Sequence, residues 1–362
     1  MGLGLAAVEA VAVEREFWDG RRVLVTGHTG FKGSWLALWL ESMGARVTGF
    51  SRSVPSTPSL FELARAGEGI EQVEGDVADA DAVARAFATC EPEVVLHLAA
   101  QPIVRRSYRE PAETFAANVT GTVNVLDAAR AGGSVRAVVV VTSDKCYENR
   151  GLERGYREDE PLGGSDPYSA SKACQELVAH AYRRSFDMPV ATGRAGNVIG
   201  GGDFAEDRLV PDVVRAALAG EPVTVRNPAA TRPWQHVLEP LSGYLALAER
   251  VASGGEYPPA LNFGPRDEDA RPVGWIVERL AELWPDGIEH VPSAEEAPPA
   301  EANVLMLDSS LAASALGWTP AWDLGRGLEA VVEWFVAYRD GGDMRQVTLD
   351  QIGAHQAAQC AA

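Results

Sequence analysis

Apolar and polar positions follow one another in blocks along this chain. From Arg22 a short apolar run, "RVLVT", leads into a glycine turn and then into "FKGSWLALWLESMG", a stretch with helical length and composition. The rhythm repeats through "RVTGF", through "IEQVEGD" ahead of "DADAVARAFATC", and through "EVVLHLAA". The long stretch "ETFAANVTGTVNVLDAARAGG" predicts helix, "RAVVVVTS" another buried strand, and "DPYSASKACQELVAHAYRRSF" a helix started by Asp166 and Pro167. Short, continuously apolar strands alternating with helices predict a parallel sheet covered on both faces.

Beyond about Gly196 the texture changes. Loops rich in Gly and Pro, "GNVIGGGDF" and "RNPAATRPW", separate shorter elements, and "PSAEEAPPAEAN" reads as an acidic loop. The pattern predicts a main unit over 17–196 and a smaller lobe over 197–340, with the chain free to cross between them. Residues 1–16 and 341–362 are terminal extensions. The last stretch lacks sustained periodicity, so it is expected as a docked or loose tail.

Composition narrows the function. A chain of 362 residues that is 46% hydrophobic can bury a large core, and its formal net charge of −19 opposes nucleic acid and anionic membranes as partners. Cys90, Cys146, Cys174 and Cys360 form no CxxC pair and no metal-ligand spacing, so reduced thiols and no metal are expected. The first residues lack a basic segment before their apolar stretch, and no run approaches a membrane span, so the expected location is the cytoplasm.

Two patterns carry chemistry. "VLVTGHTGFKG" puts Gly27, Gly30 and Gly33 between the first strand and a helix start, where backbone N–H groups approach a pyrophosphate; Thr29, Phe31 and Lys32 belong to the same turn. "YSASK" sets Tyr168 and Lys172 one helical turn apart on one face. An ammonium near a phenol favours the phenolate, and a Lys there also reaches a nicotinamide ribose. Of 32 basic residues only Lys32, Lys145 and Lys172 are lysines, which singles out "VTSDKCY" as well. At the end of the second strand Ser51 and Arg52 stand where an NAD site usually offers a carboxylate; Arg52 also suits a 2′-phosphate. In "EGDVAD", Asp76 and Val77 face the adenine position, and Asp76 reads equally as a turn or cap residue.

With "TGHTGFKG", "YSASK" and "NVTG" at Asn118, the chain resembles the extended short-chain dehydrogenase/reductases from about Phe17 to Tyr338, including the late "LGWTP". The resemblance implies an α/β Rossmann-type doubly wound fold, NAD as cofactor and a homodimer packed through two long helices. It is narrower still to the CDP-glucose 4,6-dehydratases, through "GHTGFKGSWL", "AAQPIVRRSY", "VTSDKCY", "GNVIGGGD" and "TRPWQHVLEP". Leu98, Ala99, Ala100 and Asn118 are then expected beside the cofactor, Asn118 as a support for the Lys172 region, and Gln101, Arg105, Ser143, Asn197, Arg208 and Arg232 beside a nucleotide-sugar substrate, which the resemblance implies is CDP-glucose.

The same resemblance assigns the chemistry. Tyr168 takes the 4-hydroxyl proton, Asp144 acts as acid for the departing 6-hydroxyl, and Lys145, standing where dTDP-glucose relatives have Glu, stabilises the enolate formed at C5. By spacing alone Ser143 is as readily a turn residue and Arg232 a solvated one, while His236 beside Trp234 reads as packed. Arg105 and Arg106 both lie near the site entrance. A nucleotide-sugar 4-epimerase and a dinucleotide-binding protein without turnover are the competing readings; the first has no need of an acid at Asp144, the second none of Tyr168 and Lys172.

Overall fold

The computed structural model describes residues 13–225, 227–292 and 305–361. The first twelve residues and the acidic, proline-rich run from 293 lie outside the described residues. In chain order the strands are β1 (Arg22–Thr26), β2 (Arg46–Ser51), β3 (Glu71–Glu74), β4 (Val94–His97), β5 (Ala137–Val141), β6 (Val190–Ala195), β7 (Asn197–Ile199), β8 (Val223–Val225), β9 (Thr231–His236), β10 (Ala260–Phe263), β11 (Ala270–Pro272) and β12 (His290–Pro292). Seven of them form a parallel sheet in the order β10-β6-β5-β4-β1-β2-β3.

Alternate residues of the central strands serve opposite faces. Leu24, Val95, Val138 and Val140 join the core under the helices Ala80–Cys90, Gly121–Gly132 and Pro167–Phe186. Val23, Val25, Val94, Leu96, Val139 and Val141 join the core under Phe31–Ser42, Leu238–Ala252 and Leu324–Arg339. Burial on both faces explains the apolar runs without alternation. The strand order reverses between β1 and β4, which leaves a crevice beyond their C-terminal ends. This is the doubly wound Rossmann-type arrangement.

Residues beyond Gly196 contribute to both layers. β7, β9 and β11 make a three-stranded sheet and β8 pairs with β12, but β10 returns to the main sheet beside β6. The stretch expected as one helix from Glu113 is interrupted: Pro111–Phe115 and Gly121–Gly132 flank a π-helical turn, Ala116–Thr120, which carries the fully buried Asn118. Such a turn re-aims side chains within a continuous helix.

Both ends of the described chain are docked. Arg15–Trp18 forms a helical turn, and buried Trp18 donates its indole N–H to Glu249 at 2.6 Å. The expected tail is a helix, Met344–Ala361, whose buried residues include Thr348, Gln351, Ile352 and His355. Trp334 Nε1 donates to Thr348 Oγ1 at 3.0 Å, and Gln351 Nε2 to the Ala330 carbonyl at 2.8 Å. This inward face is largely polar, so hydropathy did not mark it.

Candidate active site

The glycine turn lies in the crevice at the reversal of strand order. Gly27 has φ +77° and a Cβ there would stand 2.8 Å from the Ala99 nitrogen, so glycine lets the turn nest under Leu98 and Ala99 beyond β4. A Cβ at Gly33 would overlap the Gly27 carbonyl, so the helix start can pack on the turn only without one. Gly30 caps Phe31–Ser42 without a side-chain hydrogen bond, which leaves first-turn N–H groups for an anion. Ser51 Oγ is 2.9 Å from His28 Nδ1 and accepts from Thr29 N at 3.4 Å, while Thr29 Oγ1 donates to the Ser53 carbonyl at 2.7 Å. These bonds fasten the end of β2 to the turn. The cradle fits a dinucleotide: open backbone donors, small residues at the close approaches and no carboxylate within the turn itself.

Asp76 Oδ1 accepts from Ala78 N at 2.9 Å, an Asx turn that presents Val77 against Gly121. Asn118 is not free to touch a ligand. Its Oδ1 accepts from Gln101 N at 2.8 Å and its Nδ2 donates to Gln101 O at 3.2 Å and Ser171 Oγ at 2.8 Å. Gln101 likewise spends its side chain within its own loop and on Thr114. Asn118 thus braces the helix of Lys172, the supporting part the resemblance implies for it, and Gln101 is tied to Asn118 and Thr114. Ala100 lies half-buried in the loop that Gln101 closes.

The proton-transfer groups meet at the C-terminal end of β5. Ser143 caps a 3₁₀ turn, Asp144–Cys146, by accepting from Lys145 N at 3.2 Å, and it donates to Asp144 Oδ1 at 2.8 Å. Asp144 is 3% exposed and its Oδ2 has no hydrogen-bond partner. Burial pushes its carboxyl above the usual range, against the pull of Lys145, Ser143 and Arg232. Tyr168 and Lys172 project from the helix Pro167–Phe186, and Ser143 is near enough to Tyr168 to pull its titration down. The site thus sets a buried carboxyl, pushed towards its neutral form, and a phenol beside one hydroxyl.

Burial pushes Tyr168 up to about 12, Ser143 pulling it down and Asp144 pushing it further up. The Lys172 ammonium donates to the Val141 carbonyl at 3.1 Å and lies over the Tyr168 ring, 6.0 Å from its centroid. Burial pulls Lys172 itself down to about 8. Lys32 reaches the same cavity, 5.9 Å from the Tyr244 ring centroid, and is pulled down to about 7 by burial and by Arg208 and Lys172.

On the substrate side, Arg208 donates to Asp203 Oδ2 at 3.1 Å and exerts its charge on Lys32 and Tyr168. Arg232 on β9 is close enough to act on Asp144, and Asn197 starts β7 opposite Trp234. Arg105 bridges to Asp207 at 3.2 Å, whereas Arg106 turns to Glu110 and Glu113, which separates the two arginines. His236 is buried between Trp35 and Trp322, as packed as its neighbours suggested. Sequence reading missed Tyr244, whose buried hydroxyl has no hydrogen-bond partner among the described residues and whose titration Tyr168 and Asp144 push up. It also missed Arg271, paired in register with Arg232. A lone hydroxyl in the apolar "GYLALA" was a signal for the first; the second has none without strand pairing.

Residues 23–264 match the NAD dependent epimerase/dehydratase family. The chain is 48% identical over 356 residues to the CDP-glucose 4,6-dehydratase of Salmonella typhimurium, covering 96% of this chain and 99% of that one. It is 32% identical over 324 residues to the dTDP-glucose 4,6-dehydratase of Streptomyces griseus, covering 88% and 94%. Among solved structures, an epimerase of Methanothermobacter thermautotrophicus superposes with a TM-score of 0.77 at 26% identity, covering 92% of this chain and 96% of that one. On its sequence and its fold alike, the chain belongs to the NAD dependent epimerase/dehydratase family.

Proposed function

We propose that this protein converts CDP-glucose to CDP-4-keto-6-deoxyglucose. The observation that carries the reading is Asp144: a buried carboxyl, pushed towards its neutral form and hydrogen-bonded to Ser143. Epimerisation at C4 needs no such acid, whereas loss of water does. The extent of identity to a CDP-glucose 4,6-dehydratase supports the cytidine substrate.

Tyr168 removes the proton of the sugar 4-hydroxyl, and Ser143 orients that hydroxyl. NAD, when bound, would supply hydride chemistry without net consumption, since the hydride leaving C4 is the one that enters C6. The 4-ketone acidifies C5–H; a bound water takes that proton while the Lys145 ammonium stabilises the resulting enolate, protonated Asp144 gives its proton to the departing 6-hydroxyl, and C5 regains a proton as hydride enters C6. Gly27, Gly30, Gly33 and the first turn of Phe31–Ser42 hold the cofactor pyrophosphate, with Lys172 at the nicotinamide ribose. Arg208 and Arg232 hold the substrate diphosphate.

Incubation with CDP-glucose deuterated at C4 tests this. The expected product is a 4-keto-6-deoxy sugar carrying that deuterium at C6; CDP-galactose without dehydration would establish the epimerase instead. The same reading places the protein in the cytoplasm as a homodimer. Among the described residues no helix is long and apolar enough to cross a membrane. Leu177, 59% exposed on the long helix Pro167–Phe186, and exposed Phe115 supply apolar surface for the pairing of long helices.

A further inference from the structure

Arg52 follows the last residue of β2, where a side chain meets the 2′ position of the adenosine ribose. A free guanidinium there favours a 2′-phosphate. In this structure Arg52 Nη1 stands 3.4 Å from Asp76 Oδ2 and 3.0 Å from Glu113 Oε1. The two carboxylates come from different elements, the turn after β3 and the helix Pro111–Phe115. Each is held independently of Arg52. Asp76 Oδ1 accepts from Ala78 N at 2.9 Å, and Glu113 Oε1 accepts from Arg106 Nη2 at 3.2 Å, Arg106 being tied through its Nε to Glu110 at 2.6 Å. Ser51 is turned away into the glycine turn.

We propose that Asp76 and Glu113 are specificity-determining residues, which clamp Arg52 and so make the site reject a dinucleotide phosphorylated at the ribose 2′ position while accepting the unphosphorylated one. The proposal rests on the reading that the glycine turn holds the dinucleotide. Exposed ion pairs add little stability, so the clamp does not act by strength. It acts by sign. Two guanidiniums, Arg52 and Arg106, are matched here against three carboxylates, Asp76, Glu110 and Glu113. A phosphate of nearly two negative charges must draw Arg52 off both partners and then lie beside the carboxylates it has exposed. Discrimination therefore comes from an unfavourable contact with the wrong ligand, not from an added contact with the right one.

Calorimetric titration of the full chain, freed of carried-over nucleotide, with NAD and with NADP tests the clamp. The wild type is expected to bind NAD in strong preference. Glu113→Gln, and more so Asp76→Asn with Glu113→Gln, is expected to raise NADP affinity by about tenfold or more relative to NAD, the scale of a removed like-charge contact. Adding Arg52→Ala to either variant should cut that gain several-fold, because the released guanidinium is the phosphate's partner and only the removed repulsion remains. High salt should shrink it, since all these groups are exposed. An unchanged NADP-to-NAD affinity ratio in both variants, or a gain that Arg52→Ala leaves undiminished, overturns the clamp. A wild type that binds neither nucleotide overturns the underlying cofactor reading instead, and the two failures are distinct because the clamp concerns only the ratio.

Discussion

Arg194 and Glu176 form a buried, two-pronged ion pair: Nε donates to Oε1 at 3.0 Å and Nη2 to Oε2 at 2.8 Å, with both side chains 4% exposed. Thr142 and Thr192 donate their hydroxyls to the same carboxylate, and Arg194 Nη1 donates to Tyr147 at 2.7 Å. The pair thereby locks the helix of Tyr168 and Lys172 to the segment that flanks Ser143, Asp144 and Lys145. Glu176→Gln leaves a buried guanidinium without its counter-charge, for which a loss of about 3–5 kcal/mol is expected. Denaturant unfolding measures it, and an unchanged midpoint would remove the pair from any role in holding the site.

Tyr168→Phe deletes one oxygen from a buried helix position and should leave the fold and nucleotide binding intact. Turnover is expected to fall by a factor of about 10² to 10⁴, the usual scale for losing a general base. Near-normal turnover would remove Tyr168 from the mechanism.

Lys145→Met should still allow C4 oxidation but stall afterwards. The expected signs are a lasting absorbance of reduced cofactor, a 4-keto hexose in the quenched reaction, and slowed hydrogen exchange at C5 in heavy water. Lys145→Arg keeps the charge but spreads it over a wide fork, so it should restore little. Full dehydration by both variants would place Lys145 outside the elimination.

Turnover should fall as pH rises through the raised titration of Asp144, because the acid is active only when protonated. A second alkaline loss is expected near pH 8, where Lys172 gives up its proton. Lys172→Arg, permanently charged, should remove that second limb from the profile even at reduced rate. A profile of unchanged shape would exclude Lys172 as its source.

Glu249 connects pH to stability rather than to chemistry. Burial pushes its carboxyl up to about 8 from an unfolded value near 4.5. The folded chain therefore binds more protons than the unfolded chain between those values, and stability is lost as pH rises through that window. Glu249→Gln has no charge to desolvate and its amide oxygen can still accept from Trp18, so thermal unfolding should show it more stable than wild type at pH 8 and flatter from pH 5 to 8. Equal slopes would contradict the assignment.

The sequence by itself determined what local spacing determines. β1, the turn at Gly27–Gly33 and the helix after it are legible because continuous apolar burial and backbone access to an anion each demand particular residues in a row. Tyr168 and Lys172 are legible because one helical turn brings them to the same face, and "VTSDKCY" because its lysine is rare in this chain. What sequence could not decide is how polar side chains are used once distant segments meet. Nothing in the spacing of Asn118 and Gln101 shows that the π-helical turn sets Asn118 on the Gln101 backbone and Ser171, or that the Gln101 side chain bonds Ile103 and Thr114. The helix Met344–Ala361 shows no apolar stripe because its inward Thr348, Gln351 and His355 hydrogen-bond Trp334, the Ala330 carbonyl and Glu239. Arg52 looked available to a phosphate until the fold set two carboxylates beside it. Apolar burial follows a period that a sequence displays, whereas a hydrogen bond or an ion pair depends on which partner the tertiary structure delivers within about 3 Å, and only the folded chain supplies that partner.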